Sequence, residues 1–367
     1  MAVRRALGCM MILPRLCDLE LGKEPKSSPR SPTFCVAATH ASDDLVILLG
    51  HMHDLNHKRS RKQKQEESNH NISTMALRRT VALQHIKIPT RPLSSITNNQ
   101  LNYEIIGDET STTESTLYLH GLLGNGRNLR GLAKAVNAPS SMLMDLRGHG
   151  MSPSFDGPHN FENCAMDVKN TLKNTKKLST LVGHSFGGRI ALEYTHHLVV
   201  DDETGTTPPT MWLLDTIPGQ ANESVEKVLA AVDQVQLTTK KEIVQQLVNK
   251  GIEVDISQWL ASSVRQTKDK TLDWGFDVDV AQGVLEHFAS QDFLGMLEKI
   301  CVDGDATVHL VRGGKNNGWE EDPTLLPAVE SLNKQLSNFH FHLLPTAGHW
   351  VHVDDLNGLV QLFQYHR

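Results

Sequence analysis

One stretch of the chain has the residue types and spacing of a reactive centre. Gly183-His184-Ser185-Phe186-Gly187 is a G-x-S-x-G pentapeptide. The short apolar run Leu178-Ser179-Thr180-Leu181-Val182 leads into it, and Arg189 to Tyr194 follows with helical spacing. The pattern predicts a strand, a sharp turn and a helix. A serine on such a turn has strained dihedrals and little room beside it, so glycines two residues to either side remove side chains that would clash. The turn exposes the Ser185 hydroxyl. It also sets the Phe186 N–H at a helix N-terminus, where partial positive charge suits an oxyanion. Residues of these types support nucleophilic attack on an acyl carbonyl.

The elements that must hold this turn can be read on either side of it. Leu101 to Gly107 alternates like an edge strand. Thr116 to Leu119 and Ser141 to Met144 are buried-type strands, separated by a helix from Asn128 to Val136. A helix from about Phe161 to Asn174 precedes the Ser185 strand, and Met211 to Leu214 is an apolar strand ending in Asp215. From about Asn222 to Ile300 the alternation gives way to amphipathic helices, among them Val225–Val232 and Lys241–Val248. It then resumes with strands at Ala306–Arg312 and Phe339–Leu344 and helices at Leu325–Leu336 and Leu356–Tyr365. Strands alternating with helices imply an α/β fold whose mostly parallel sheet is covered on both faces.

Composition narrows the function classes. A net charge of −6 argues against a general nucleic-acid binder. Five scattered cysteines make no disulfide framework and favour a reducing compartment. No apolar run reaches membrane-spanning length. Residues 1–92 lack core-like periodicity and read as a disordered or targeting extension. Met1 to Ala6 is basic and no acid occurs before Asp18, as in an organellar transit peptide, with mitochondrion favoured over plastid. Without such a signal the protein would be cytoplasmic. Met75-Ala76-Leu77-Arg78-Arg79 offers a second start of the same kind. His51, His53 and His57 crowd near Asp54, but no ordered scaffold supports a metal site there.

Four motifs, in order and each at a strand end, carry a family resemblance: HGLLG from His120, DLRGHGMS from Asp145, GHSFGG from Gly183 and AGHW from Ala347. The body resembles the α/β-hydrolase superfamily. HGLLGNGRNLRGLA, QWLASSVRQ and LDWGFDVD resemble a narrower branch that holds small bacterial esterases and the mitochondrial α/β-hydrolase domain-containing protein 11. The resemblance implies an eight-stranded, mostly parallel sheet with a helical lid after strand six. The core would span 93–221 and 301–367, and the lid 222–300. Ser185 is then the nucleophile and His349 the general base, in the superfamily's order of serine, acid, histidine. The backbone N–H groups of Leu122 and Phe186 would form the oxyanion hole. Asp145, Arg147 and His149 would brace the loop rather than react.

The acid departs from the commonest pattern. The stretch after the seventh family strand, Arg312 to Asn317, holds asparagines, and Glu320, Glu321 and Asp322 read as the acidic start of a helix. Asp215 and Asp279 are the candidates. Asp215 is favoured because it follows the elbow strand by one crossover and so should lie beside Ser185. Asp279 is the lid aspartate of the narrower branch, but could as easily cap the helix beginning at Val280.

The expected activity is therefore hydrolysis of carboxylic ester or thioester bonds in a small acyl substrate through an acyl-enzyme, with no cofactor and no metal ion. The rival readings are an acyltransferase or amidase using the same triad, a non-catalytic hydrolase-like receptor, and an organellar protein partner.

Overall fold

The computed structural model describes residues 100–366 except 109–114, 174–177, 202–206 and 220–222. The chain divides between Arg91 and Pro92, and every described residue belongs to the second unit. The targeting reading and the His51–His57 cluster lie outside the described residues.

In chain order the first half contains β1 (Tyr103–Gly107), β2 (Ser115–Leu119), α1 (Arg130–Val136), β3 (Ser140–Met144), α2 (Phe161–Leu172), β4 (Thr180–His184), α3 (Phe186–Val200) and β5 (Thr210–Leu214). Four helices follow: α4 (Glu223–Asp233), α5 (Lys240–Asn249), α6 (Val254–Ser263) and α7 (Val278–Glu286). Between α6 and α7 lies a small hairpin of β6 (Arg265–Gln266) and β7 (Leu272–Asp273). The chain closes with α8 (Phe293–Asp303), β8 (Thr307–Gly313), α9 (Leu325–Gln335), β9 (Phe339–Leu344), α10 (Val351–Asp354) and α11 (Leu356–Tyr365).

The main sheet runs β1-β3-β2-β4-β5-β8-β9. Only β1 is antiparallel, pairing Tyr103 with Met144; the other neighbours are parallel. Seven strands are described where the resemblance implies eight. The helical segment lies between β5 and β8 of this sheet.

Both faces of the sheet are covered, which explains why β2 and β3 are buried at every position. On one face Phe161, Ile190, Phe293 and Leu297 pack against Leu117 and Leu213. On the other, Leu132, Leu359 and Phe363 pack against Tyr118, Val182 and Trp212. The segment after β5 has a core of its own, including Leu229, Ile243, Leu247, Leu260 and Trp274. Helix α8, within the stretch expected to be insert, instead buries Phe293, Leu297 and Ile300 in the core of the sheet. No helix among the described residues is long and apolar enough to cross a membrane.

Candidate active site

Strand β4 ends at His184, and Ser185 turns the chain directly into α3 with φ 52° and ψ −115°. Few non-glycine residues adopt such a conformation, and where one does the surrounding structure must enforce it. Here the enforcement is close packing. A Cβ on Gly183 would lie 2.5 Å from the Gly187 carbonyl oxygen, and a Cβ on Gly187 would overlap the Leu119 carbonyl oxygen. The two flanking glycines thus let β2, β4 and α3 approach closely enough to hold the turn. Ser185 is partly accessible, whereas its neighbours His184 and Phe186 are buried.

The parallel register brings a carboxylate alongside. His184 pairs with Leu214 across β4 and β5. The Ser185 amide donates to the Leu214 carbonyl at 2.9 Å, and the Asp215 amide donates to the Val311 carbonyl at 2.7 Å. Ser185 and Asp215 therefore leave adjacent strands at the same edge, the carboxyl end where functional groups gather in such sheets. Asp215 has φ 45°. With Leu123 (φ 62°) in the loop after β2, three of the six non-glycine residues with positive φ among the described residues surround this edge.

The Asp215 side chain is fully buried and accepts four hydrogen bonds. Its Oδ1 receives the Gly313 amide at 2.8 Å and the Trp319 indole N–H at 2.8 Å. Its Oδ2 receives the Asn316 side-chain amide and, at 2.7 Å, the Nδ1–H of His349. That last bond leaves the His349 Nε2 lone pair free on a ring that is 43% exposed. Asn316, in the loop after β8, is thus a donor to the carboxylate at the end of the neighbouring strand.

His184 fixes the backbone of His349. Its Nε2–H donates to the His349 carbonyl at 2.9 Å. The two rings lie 4.9 Å apart, and His352 packs edge-on against His184 at 4.6 Å. Burial, with the neighbouring His352 and His349, holds the His184 pKa well below the ordinary histidine value. His184 therefore stays neutral and keeps this donor role.

The loop carrying Leu122 is braced by the turn after β3. His120 Nε2 accepts the Leu146 amide at 2.9 Å while its Nδ1–H donates to the Gly121 carbonyl at 2.8 Å. His149 Nε2 accepts the Leu123 amide at 3.1 Å while its Nδ1–H donates to the Arg147 carbonyl at 2.7 Å. Both rings are buried and neutral, and burial together with the adjacent His120 pushes His149 down to about 3. Asp145 accepts the amides of Gly126 at 2.8 Å and Met151 at 2.9 Å. Arg147 grips Asp167 through two bonds of 2.6 and 3.0 Å, both side chains being buried. The motif DLRGHG is therefore a brace, as the sequence implies. Among the described residues the Leu122 and Phe186 amides have no protein acceptor.

The other acidic candidates lie elsewhere. Asp279 is exposed in the first turn of α7, with no bond to His349. Nor does it cap that helix: Asp277 is the cap, accepting the amides of Asp279 at 3.0 Å and Val280 at 3.4 Å. Glu320 pairs with Arg312 at 2.9 Å. Asp322 accepts from the Thr324 amide and hydroxyl, just ahead of α9. Three contributors had no signal in the spacing: Trp319, His184 and Asn316 as a donor to Asp215.

The helical segment reaches this edge at several points. Trp259 on α6 meets Trp350, the residue after His349, with ring centres 5.8 Å apart. Leu122 and Leu123 pack into the core of the segment. The Gly150 amide donates to the Gly275 carbonyl at 2.8 Å, and the Asp277 amide to the Gly148 carbonyl at 2.7 Å.

A mostly parallel sheet with a strained serine between β4 and α3 defines the class. Residues 117–362 match the alpha/beta hydrolase family, and the chain belongs to it. Among particular proteins, the chain is similar to the mouse sn-1-specific diacylglycerol lipase ABHD11, with 27% identity over 69% of this chain and 80% of that protein. It is also similar to the Escherichia coli esterase YbfF, with 24% identity over 64% of this chain and 86% of that protein. A shorter match to a probable alcohol acetyltransferase of Saccharomyces cerevisiae, 36% identical, spans 25% of this chain and only 31% of the yeast protein. Among solved structures, a marine microorganism esterase superposes with a TM-score of 0.58 at 20% identity, over 73% of this chain and 99% of that one. The family and these relatives support hydrolase activity.

Proposed function

We propose that the protein is a serine hydrolase of carboxylic esters, with Ser185, His349 and Asp215 as its triad. The observation that carries the reading is the 2.7 Å bond between Asp215 and His349 Nδ1, made at the strand edge where Ser185 turns. His349 Nε2 takes the Ser185 proton as Oγ attacks the acyl carbonyl. Asp215 holds the tautomer and stabilises the imidazolium. The Leu122 and Phe186 amides receive the oxyanion, and their freedom from protein acceptors supports that role. The leaving group departs with the proton from His349. Water, activated by the same histidine, then attacks the acyl-enzyme and releases the acid.

Helices α4 to α7 act as the lid over this edge, a reading supported by the Trp259–Trp350 contact. The core is the remainder of 93–367. Thioesters react by the same steps. The printed name of the yeast relative supports acyl transfer to an alcohol as the second reading, and the name of the mouse relative brings an acylglycerol ester into the substrate class to be tested.

The test is a panel of p-nitrophenyl esters, an acylglycerol and an acyl thioester, assayed with the wild type and with Ser185→Ala. Saturable turnover that Ser185→Ala abolishes is expected. Binding without turnover across the panel would favour a hydrolase-like receptor instead. Release of acylated alcohol rather than free acid, when an alcohol is supplied, would favour the transferase.

A further inference from the structure

Away from the Ser185 edge, the sheet carries a second cluster of chemistry-bearing side chains. His309 lies on β8 and His342 on β9, while His366 follows α11. The alternation Phe339-His340-Phe341-His342 places both β9 histidines on one face. The register pairs His309 with His340 and Val311 with His342, so His309 shares that face. The end of α11 brings in His366.

One ring nitrogen from each of His309, His342 and His366 lies within 4.8 Å of the others. His309 Nδ1 and His342 Nε2 are 3.1 Å apart. Four-coordinate zinc at 2.0–2.1 Å from each nitrogen places neighbouring ligand atoms about 3.3 Å apart. The first pair already stands near that spacing. The widest separation in the set, at most 4.8 Å, would have to close by about 1.5 Å, and His366 lies just past the end of α11. The His309 ring is held in place by stacking on Trp212, with centroids 4.1 Å apart and planes 12° apart.

From this geometry we propose that His309, His342 and His366 form a three-imidazole site for a borderline divalent transition ion, with Zn2+ the best match. Imidazole ligands select Zn, Cu, Ni and Co over the hard cations Mg and Ca. Three histidines leave a fourth position for water or for His340, whose ring stacks 4.9 Å from that of His309. In the metal-free protein His309 Nδ1 and His342 Nε2 share a hydrogen bond, so one of them carries a proton, and binding an ion would move that proton to the other nitrogen of its ring.

The site is not part of the reaction centre. His309 precedes Gly313, which binds Asp215, by four residues, or about 13 Å along a strand. Its effect would be structural: the ion would tie β8, β9 and the end of α11 together in the folded state only.

Zn2+ titration followed by calorimetry tests the proposal. It uses the full-length protein with Ser185 blocked by a phosphonate, compared with the blocked His342→Gln and His366→Ala forms. These positions are half-exposed, unlike the buried His309, so the variants retain the fold. The wild type should bind one more equivalent of Zn2+ than either variant. The subtraction removes any binding by the other histidines, including those near the N-terminus. At 100 times the dissociation constant, Zn2+ should shift the wild-type folding equilibrium about 100-fold toward the folded state. The shift should be lost in both variants. Co2+ should give the intense visible bands of a low-coordinate site in the wild type alone. Equal stoichiometry and equal thermal shifts in wild type and variants would overturn the proposal, leaving a stack of neutral histidines.

Discussion

Replacing Asp215 by Asn changes little in shape and much in charge. Its Oδ1 can go on accepting from the Gly313 amide at 2.8 Å and the Trp319 indole at 2.8 Å, so the buried pocket is preserved. The altered atom is the one at Oδ2. There an NH2 group would face two existing donors, the Asn316 amide and His349 Nδ1–H. The conflict is relieved when His349 moves its proton to Nε2, the wrong tautomer for a base. The same change in a Ser-His-Asp triad lowers kcat about 10⁴-fold, or about 5.5 kcal/mol of transition-state stabilisation. Asp215→Asn should therefore lose about four orders of magnitude in p-nitrophenyl ester turnover while its thermal unfolding stays cooperative. The double variant Asp215→Asn, Asn316→Asp exchanges amide and carboxylate. Asn316 Nδ2 lies 3.5 Å from His349 Nδ1, so an acid at 316 is within reach of the ring. It should restore on the order of 10² of the loss, by the orienting role of the triad acid. Asp279→Asn should change turnover by less than about threefold, as for a surface site. Asp215→Asn turnover within tenfold of wild type, in a folded protein, would refute the assignment of the acid.

Two further predictions concern the frame around the site. Asp167→Asn leaves the buried Arg147 guanidinium without its carboxylate and should cost about 3–5 kcal/mol in urea unfolding, as for other broken buried pairs; a loss under about 1 kcal/mol would show that the brace is dispensable. Acid should destabilise the fold through histidines buried in the neutral form. His149 and His352 have folded values of about 3 and about 4, both lowered chiefly by burial. Their folded pKa values lie below the unfolded value, so their stabilisation is complete above about pH 6.5 and is lost as pH falls toward the folded values. Each should cost about 2 kcal/mol between pH 7.5 and pH 5. His197 works in the opposite sense. Its bond to Glu193 raises its pKa, so that contribution is complete below about 6.5 and is lost as pH rises through the folded value. Unfolding free energies that do not change between pH 7.5 and 5 would contradict the buried, neutral state of His149 and His352.

The fold was legible in the sequence wherever local pattern and tertiary demand agree. Met211 to Leu214 and Ala306 to Arg312 read as strands because both faces of a parallel strand are buried. The Ser185 turn was legible because its glycines answer a steric need that is local to the motif. The position of Asp215 followed from the strand end. Elsewhere the information was non-local. The role of Asn316 depends on β5 and β8 being neighbours, and the indole of Trp319 reaches back across 104 residues to Asp215. His184 occupies an unspecified position of the pentapeptide, and its clamp on the His349 carbonyl depends on a contact 165 residues away in sequence. Asp277 and Asp279 sit two residues apart in one acidic run, and backbone geometry alone selects Asp277 as the cap. The two-residue strands β6 and β7 are too short to leave a periodic trace. The His309, His342 and His366 cluster draws on three elements, so no short spacing motif marks it.

Reaction with a fluorophosphonate, read by intact mass and peptide mapping, tests the central claim most directly, because it reports the activated serine itself rather than any chosen substrate. The wild type should gain one adduct per chain, on Ser185, with loss of ester turnover in step. Ser185→Ala should gain none, and Asp215→Asn should react far more slowly than wild type. An adduct on another residue, or undiminished turnover in the fully labelled protein, would contradict a nucleophile at Ser185.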